Sequence, residues 1–162
     1  MLTDGMSFVI RPAAETDLPE IEALEKSVFA PPWSLESLEG HLRSPVSVSL
    51  AAVWPAGQIP EETASAQRVV GYLLGTLVCD EAEICRVAAD PSLRRRGIGE
   101  SLVETFISLC ARRGAEHFFL DVRAGNEAAI ALYEKCGFRR AGIRRDYYRD
   151  PPEDAVLMRF DI

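Results

Sequence analysis

The segment that most constrains the fold lies near the middle of the chain, at residues 87–99 (VAADPSLRRRGIG). A short apolar strand leads through Pro91 into a basic loop with two glycines, and an amphipathic helical pattern follows directly. Glycines let main-chain N–H groups approach a bound group closely, because no Cβ intervenes. The helix N-terminus adds unpaired N–H donors and partial positive charge. The segment therefore predicts a strand–loop–helix unit that cradles the pyrophosphate of a phosphorylated cofactor.

Two other phosphate-binding motifs do not fit this loop. A Walker loop needs four residues between its glycines and a Lys-Ser/Thr pair after the second, and neither is present. A dinucleotide fingerprint needs glycines at the first, third and sixth positions, whereas the order here is Arg94-x-x-Gly97-x-Gly99. The loop considered alone also fits an ordinary strand-to-helix turn with solvated arginines.

The chain as a whole is expected to form one domain. It has 162 residues, enough to bury a sizeable core. No N-terminal run resembles a signal peptide, and the longest apolar stretch, residues 69–79, is too short to span a bilayer. We therefore expect a single domain over residues 1–162, cytoplasmic and without a membrane partner.

Charge and cysteine usage narrow the possible partners. The net charge of −7 and the pI near 4.9 disfavour nucleic-acid binding. Acidic residues concentrate at 15–39, where they either receive a basic substrate or form the solvated face of helices. The four cysteines lack Cys-x-x-Cys spacing and nearby histidines, so neither a metal site nor a disulfide framework is expected.

Periodicity predicts a mixed α/β fold. A strand at 7–11 is followed by two helices, which Asp17 and Ser34 cap, and the second helix ends near Arg43. Strands at 46–54, 69–78 and 83–89 precede the long helix to Arg113. A strand at 117–123, a short helix capped by Asn126, and strands at 138–144 and 155–160 around a Tyr- and Pro-rich connection complete the chain. Residues 55–67, rich in Pro, Ala, Gly and Glu, are expected to form a mobile loop.

Several segments together resemble one enzyme superfamily. Residues 85–99 resemble the acetyl-CoA signature of the GNAT N-acetyltransferases. Residues 120–126 (LDVRAGN), 129–133 (AIALY), 137–138 (GF) and 144–148 (RRDYY), with Pro32-Trp33, are similar to the bacterial ribosomal-protein-alanine N-acetyltransferases (RimI type). The resemblance spans nearly the whole chain apart from residues 55–67. It implies a GNAT fold with a mixed sheet of about seven strands and about four helices, and acetyl-CoA as co-substrate.

The resemblance also implies roles for individual residues. The main chain of Val87, Ala88 and Ala89 should hold the pantetheine arm, and Asn126 should contact the cofactor near it. The pyrophosphate should be wrapped by the loop and first helical turn: Arg94, Arg95, Arg96, Gly97, Ile98, Gly99 and Glu100. Tyr133 matches the general acid that protonates the leaving thiolate, although a core aromatic is the simpler interpretation of an isolated tyrosine. Trp33, Tyr147 and Tyr148 should line the peptide entrance, and ordinary loop packing explains Trp33 equally well.

Asp121 departs from the family pattern, because it occupies the position of the catalytic glutamate. Its side chain is one methylene shorter, and misplacement by about 1 Å can cost about 10²-fold in rate. Asp121 could act through a water molecule, Glu83 in the preceding strand could be the base, or the enzyme could work slowly on an undemanding substrate. A purely structural Asp121, paired with Arg123 or a neighbouring arginine, is the further alternative.

The expected activity is acetyl transfer to a protein N-terminus, most simply the N-terminal alanine of a small-subunit ribosomal protein. At neutral pH about a tenth of α-amino groups are unprotonated, but under about a thousandth of lysine side chains are. A weak catalytic base therefore suits an α-amine better than a lysine. The reaction should be direct attack in a ternary complex, because no cysteine sits in a recognisable activating site. The alternatives are a lysine or small-amine acetyltransferase of the same fold, and a weakly catalytic acyl-CoA-binding regulatory module. The sequence is compatible with an acetyl or a longer acyl group on the donor, and with any oligomeric state.

Overall fold

The computed structural model describes residues 8–55, 68–93 and 95–162, and within them the predicted seven strands and four helices are confirmed. The strands are β1 (Val9–Pro12), β2 (Ser47–Trp54), β3 (Arg68–Val78), β4 (Glu81–Ala89), β5 (His117–Arg123), β6 (Arg139–Arg149) and β7 (Pro152–Asp161). The helices are α1 (Leu18–Val28), α2 (Leu35–Arg43), α3 (Ile98–Arg112) and α4 (Glu127–Lys135).

The sheet is mixed, as predicted, with the strand order β1-β2-β3-β4-β5-β7-β6. Every neighbouring pair is antiparallel except β4 and β5, which run parallel. Their pairing ends at Ile84 opposite Leu120, although both strands continue further. In β4 the next residue, Cys85, is an extra one, since Leu74 pairs with Arg86 and Gly75 with Ile84. This bulge bends β4 away from β5, and a cleft opens between the two strands.

Helices cover both faces of the sheet. On one face, α3 and α4 bury residues at helical spacing, such as Leu102, Phe106 and Ile130, against the strands. On the other face, α1 and α2 bury Ile21 and Leu38 in a second cluster. The cleft between β4 and β5 therefore lies between two packed layers.

Local capping signals correctly located two of the helices. The Ser34 side chain accepts a hydrogen bond from the N–H of Ser37 at the start of α2, and Asn126 accepts one from Ala129 at the start of α4. The expected cap by Asp17 is wrong in detail. Asp17 directly precedes α1 but ends a short 3-10 helix, and its carboxylate accepts hydrogen bonds from the Ala14 N–H and from Arg11.

The C-terminal hairpin is longer than the sequence pattern predicted. β6 extends through Arg149 and β7 begins at Pro152, so Tyr147 and Tyr148 lie in a strand rather than in a connection. Tyr148 pairs with Glu153 after a register shift that follows Arg144. The periodicity is obscured because β6 is a sheet edge that is exposed along almost its whole length, so it has no apolar face to recognise.

Three further expectations concern the 55–67 loop, the acidic segment and membrane-spanning helices. Residues 56–67 of the expected mobile loop lie outside the described residues, so that loop stays a prediction. The acidic segment is not uniformly a solvated surface, because Asp17 and Glu25 are buried. None of the helices in the described ranges is long and apolar enough to cross a membrane.

Candidate active site

A cleft of about 600 Å³ opens where β4 and β5 separate. Its walls come from α1, the segment after it, both strands, α4 and the β6–β7 hairpin. The lining residues are Val28, Phe29, Ala30, Pro31, Pro32, Trp33, Ile84, Cys85, Arg86, Val87, Asp121, Val122, Arg123, Asn126, Ala129, Tyr133, Tyr148 and Pro151. The structure thus brings Asp121, Tyr133, Val87, Asn126, Trp33 and Tyr148, all singled out from the sequence, to one site.

Asp121 occupies the wall that β5 contributes. Its side chain is 17 % exposed, and its Oδ1 accepts a hydrogen bond of 3.0 Å from Nε of Arg144 in β6. Arg123, the other expected partner, instead bonds to Glu153 and to the carbonyl oxygens at the hairpin turn. No hydrogen bond engages Oδ2 of Asp121 within the described chain, so one carboxylate oxygen is available to a ligand or a water molecule.

Glu83, the second candidate base, does not line the cleft. It is an exposed residue of β4, in register with Phe119 of β5, two residues before Asp121. Partial desolvation raises the pKa of Glu83, and the negative charge of Asp121 raises it further, while Arg144 opposes the shift. The two carboxylates therefore interact electrostatically, but only Asp121 faces the cleft.

Tyr133 reaches the cleft from α4. It is 8 % exposed, and its ring packs edge-on against Phe138 at a centroid distance of 5.9 Å. Burial raises the pKa of Tyr133 strongly, so the hydroxyl is protonated at neutral pH and can donate a hydrogen bond. No described residue accepts that hydrogen bond, although the ring itself belongs to the core. Tyr133 is thus both a core aromatic and a free donor.

The loop before α3 has the backbone of an anion cradle. Arg95 and Gly97 both have positive φ angles, +65° and +76°, on either side of Arg96. Such alternation turns successive N–H groups towards one point, next to the helix N-terminus. Gly97 is needed for its φ angle, since a Cβ there would meet nothing within 4 Å. Arg94 lies outside the described residues, so its expected contact with pyrophosphate stays a prediction.

The main chain of β4 beyond the bulge offers strand-like hydrogen bonding. Val87, Ala88 and Ala89 pair with β3 on one side. On the other side the ladder with β5 has ended at Ile84, so an extended ligand could take the place of the missing strand. Asn126 faces the same cleft while its side chain caps α4.

Aromatic residues surround the outer part of the cleft. Trp33 and Tyr148 line it. Tyr147 does not line it, is 51 % exposed and packs edge-on against Tyr148 at 5.1 Å. Burial raises the pKa of Tyr148, with a smaller contribution from the charge of Asp121.

Sequence reasoning missed a buried polar group beside the cleft. Glu25 of α1 is fully buried and bonds to Arg86, to the Tyr72 hydroxyl and to the N–H of Trp33. A signal for it was present: Glu25 follows Leu18 by seven residues and Ile21 by four, so it lies on the apolar face of α1. A carboxylate at such a position requires buried partners.

Comparisons with known proteins agree with this geometry. Residues 21–138 match the model of the acetyltransferase (GNAT) family. The chain is 36% identical over 150 residues to a [ribosomal protein bS18]-alanine N-acetyltransferase of Salmonella typhimurium, covering 91% of this chain and 93% of that protein. It is 32% identical over 167 residues to the N-alpha-acetyltransferase RimI of Mycobacterium tuberculosis, covering 99% and 97% of the two chains.

Solved structures show the same likeness. The crystal structure of the ribosomal-protein-S18-alanine N-acetyltransferase from Escherichia coli matches with a TM-score of 0.81 and 32% identity, covering 96% of this chain and 94% of that one. Arabidopsis thaliana NAA60 in complex with acetyl-CoA has a TM-score of 0.86 at 20% identity, covering 96% and 99%, and shares the fold.

Proposed function

Since this chain belongs to the acetyltransferase (GNAT) family, we propose that it acetylates a protein N-terminus, the N-terminal alanine of ribosomal protein bS18. It is an acetyl-CoA-dependent N-acetyltransferase. One observation carries the choice of substrate: identity of 34–36% with enzymes named for bS18 alanine, over nine-tenths of both chains. A ribosomal-protein substrate supports a cytoplasmic location for the reaction.

Acetyl-CoA is assigned to the cleft between β4 and β5. The pyrophosphate would sit on the N–H groups of the loop between Arg95 and Gly99, where the backbone turns and the α3 N-terminus combine. The pantetheine arm would extend along Val87–Ala89 and past Asn126. The thioester would then lie near the point where the strands separate, and a main-chain N–H near Val87 would polarise its carbonyl group.

The substrate amine is assigned to the outer part of the cleft, between the aromatic residues and Asp121. An ammonium group must lose a proton before it attacks, and Asp121 accepts it through a water molecule with its unengaged carboxylate oxygen. The position of Asp121 in the cleft wall, and that of Glu83 outside it, support Asp121 as the base.

The nitrogen then attacks the thioester carbon, a C–N bond forms, and the C–S bond breaks in the collapse of the tetrahedral intermediate. Tyr133 donates a hydrogen bond to the leaving sulfur. A tyrosine hydroxyl is less acidic than a thiol by about 1.5 pKa units in water, and burial raises the pKa of Tyr133 further. Tyr133 can therefore give its proton to the sulfur only if it is reprotonated at the same time. The amine nitrogen supplies that second proton to the Tyr133 oxygen, directly or through a water molecule.

The proton balance favours an α-amine over a lysine side chain. Their ordinary pKa values differ by about 2.5 units, or about 3.4 kcal/mol in deprotonation. A shortened carboxylate that acts through water supplies less driving force than a well-placed glutamate. The same site would accordingly acetylate lysine far more slowly at neutral pH.

Two peptides with the bS18 N-terminal sequence test the proposal. One has a free α-amine and no lysine, and the other has a blocked α-amine and one lysine. The proposal expects acetyl transfer from acetyl-CoA to the first peptide only. Faster transfer to the lysine peptide would contradict it in favour of lysine acetylation. Binding of acetyl-CoA without transfer to either would favour a regulatory acyl-CoA-binding module.

A further inference from the structure

The buried ion pair of Glu25 and Arg86 has no part in the proton transfers assigned above. The Glu25 side chain is 0 % exposed and that of Arg86 is 18 % exposed. Oε1 of Glu25 accepts hydrogen bonds of 2.9 Å from Nε of Arg86 and 2.9 Å from the Trp33 N–H. Among the described residues Arg86 lines the cleft and Glu25 does not. The pair is therefore an oriented dipole, with its positive end towards the cleft.

The guanidinium of Arg86 is fixed in place. Its Cζ lies 3.9 Å from the ring centroid of Phe29 and 5.1 Å from that of Trp33. The other carboxylate oxygen of Glu25, Oε2, accepts a hydrogen bond from the hydroxyl of Tyr72. Because Glu25 is engaged by Arg86, Tyr72 and the Trp33 N–H, the pair cannot reorient without breaking buried hydrogen bonds.

The ionisable groups near Arg86 do not cancel the electric field that its positive charge creates in the cleft. The charge of Arg86 acts on Tyr72, Cys85 and Tyr148, and its guanidinium bonds to Glu25. Glu83 acts in turn on Cys85, and Asp121 and Arg123 act on Tyr148. Burial raises the pKa values of Tyr72 and of the Cys85 thiol, the latter to about 11, so both are neutral. Asp121 lies on β5, which has separated from β4 at this point. Its negative charge raises the pKa of Tyr148, and the positive charge of Arg86 lowers it.

We propose that the Glu25–Arg86 pair determines which amines react, because its positive end disfavours an ammonium group in the cleft and so promotes loss of the amine proton. Arg86 acts here through its field, as a specificity-determining residue, and does not touch the reacting atoms. This role rests on the proposed acetylation of an α-amine. The benefit is largest for an α-amine, with an ordinary pKa of about 7.7–8.0, since a modest lowering makes it mostly neutral at physiological pH. A lysine at about 10.4 stays protonated after the same shift.

The pH dependence of kcat at saturating peptide tests the proposal, because its acid limb reports groups in the enzyme–substrate complex. The double variant Glu25→Gln/Arg86→Met removes both charges, and glutamine can still accept the N–H of Trp33. We expect the acid limb to move up by about 0.5–1 pH unit, since an unscreened neighbouring charge shifts a pKa by about 1–3 units and Glu25 offsets part of it. At pH 7 kcat should fall by about 3–10-fold and recover towards pH 9.

Arg86→Lys is the matched control, since it keeps the positive charge and gives up the planar stacking. Its acid limb should stay close to that of the wild type. Binding of acetyl-CoA, measured by calorimetry, should be unchanged in both variants and verifies that they are folded. An acid limb between pH 7 and 8 reports the amine, whose ordinary pKa is about 7.7–8.0.

An acid limb at the wild-type position in the double variant, with kcat lowered equally at every pH, would overturn the proposal and leave the pair a structural support for Trp33. Failure of the proposed function looks different, because the wild-type enzyme would then acetylate the lysine of the blocked peptide. In that case the ratio of wild-type to double-variant kcat across pH is measured on the lysine peptide, and a constant ratio again overturns the inference.

Discussion

Replacing Asp121 by asparagine removes the proposed base while keeping the shape of the side chain. The amide oxygen can still accept the 3.0 Å hydrogen bond from Arg144. Arg144 is 53 % exposed, so the ion pair itself contributes under about 1 kcal/mol to the free energy of unfolding. The protein should therefore fold normally and bind acetyl-CoA as the wild type does.

The loss of kcat at pH 7 should be about 10²-fold. General bases contribute about 10²–10⁴-fold, and the lower end applies because Asp121 works through a water molecule. This factor corresponds to about 2.7 kcal/mol of transition-state stabilisation. The loss should shrink at pH 9, where an α-amine with a pKa near 8 has already lost its proton.

Steady-state acetylation of the free α-amine peptide, followed by release of the CoA thiol, measures this effect between pH 6 and 9. Glu83→Gln is the control, because Glu83 does not line the cleft, and its kcat should change by less than about threefold. Asp121 is not the base if Asp121→Asn keeps the wild-type kcat at pH 7. A large loss of kcat in Glu83→Gln alone would identify Glu83 as the base instead.

Three other predictions test the site and its supports. Gly75→Ala should lower the free energy of unfolding by about 1–3 kcal/mol in urea titrations, because its Cβ would lie 2.4 Å from Cε2 of Phe106. Gly40→Ala, where a Cβ meets nothing within 4 Å in a helix, should instead raise it by about 0.5–1 kcal/mol, and equal effects would contradict the packing argument. Tyr133→Phe should lower kcat by about 10–100-fold with an unchanged KM for acetyl-CoA, and an unchanged kcat would exclude its role at the sulfur. Burial lowers the pKa of His41 below its ordinary value of 6.5, so the unfolded chain binds a proton first and the free energy of unfolding should fall as the pH drops below about 6.5. His41→Gln should flatten that slope between pH 7 and 5, and a slope that persists in the variant would assign it to other groups.

Patterns of local sequence predicted most of the fold. The order of seven strands and four helices followed from periodicity. Ser34 and Asn126 were recognised as helix caps because capping is local: the side-chain oxygen bonds to an N–H two or three residues further along the chain. The cleft itself was not predictable. It depends on the bulge at Cys85, which shows only in the register of β3 with β4.

Long-range polar pairs account for the rest of what was missed. Arg86 and Glu25 are 61 residues apart, and Arg144 and Asp121 are 23 apart. The sequence offered Arg123 or a neighbouring arginine as the partner of Asp121, and the partner in the structure is Arg144. That pairing depends on the strand order, in which only β7 separates β5 from β6. The edge position of β6 likewise concealed the strand that contains Tyr147 and Tyr148, because neither face of it is buried.

The most direct test of bS18 acetylation is the mass of purified, unmodified bS18 after incubation with this enzyme and acetyl-CoA. We expect a gain of one acetyl group, which fragmentation locates on the N-terminal alanine, and no gain when the α-amine is blocked beforehand. An acetyl group on a lysine side chain, or an unchanged mass while acetyl-CoA is bound, would contradict it.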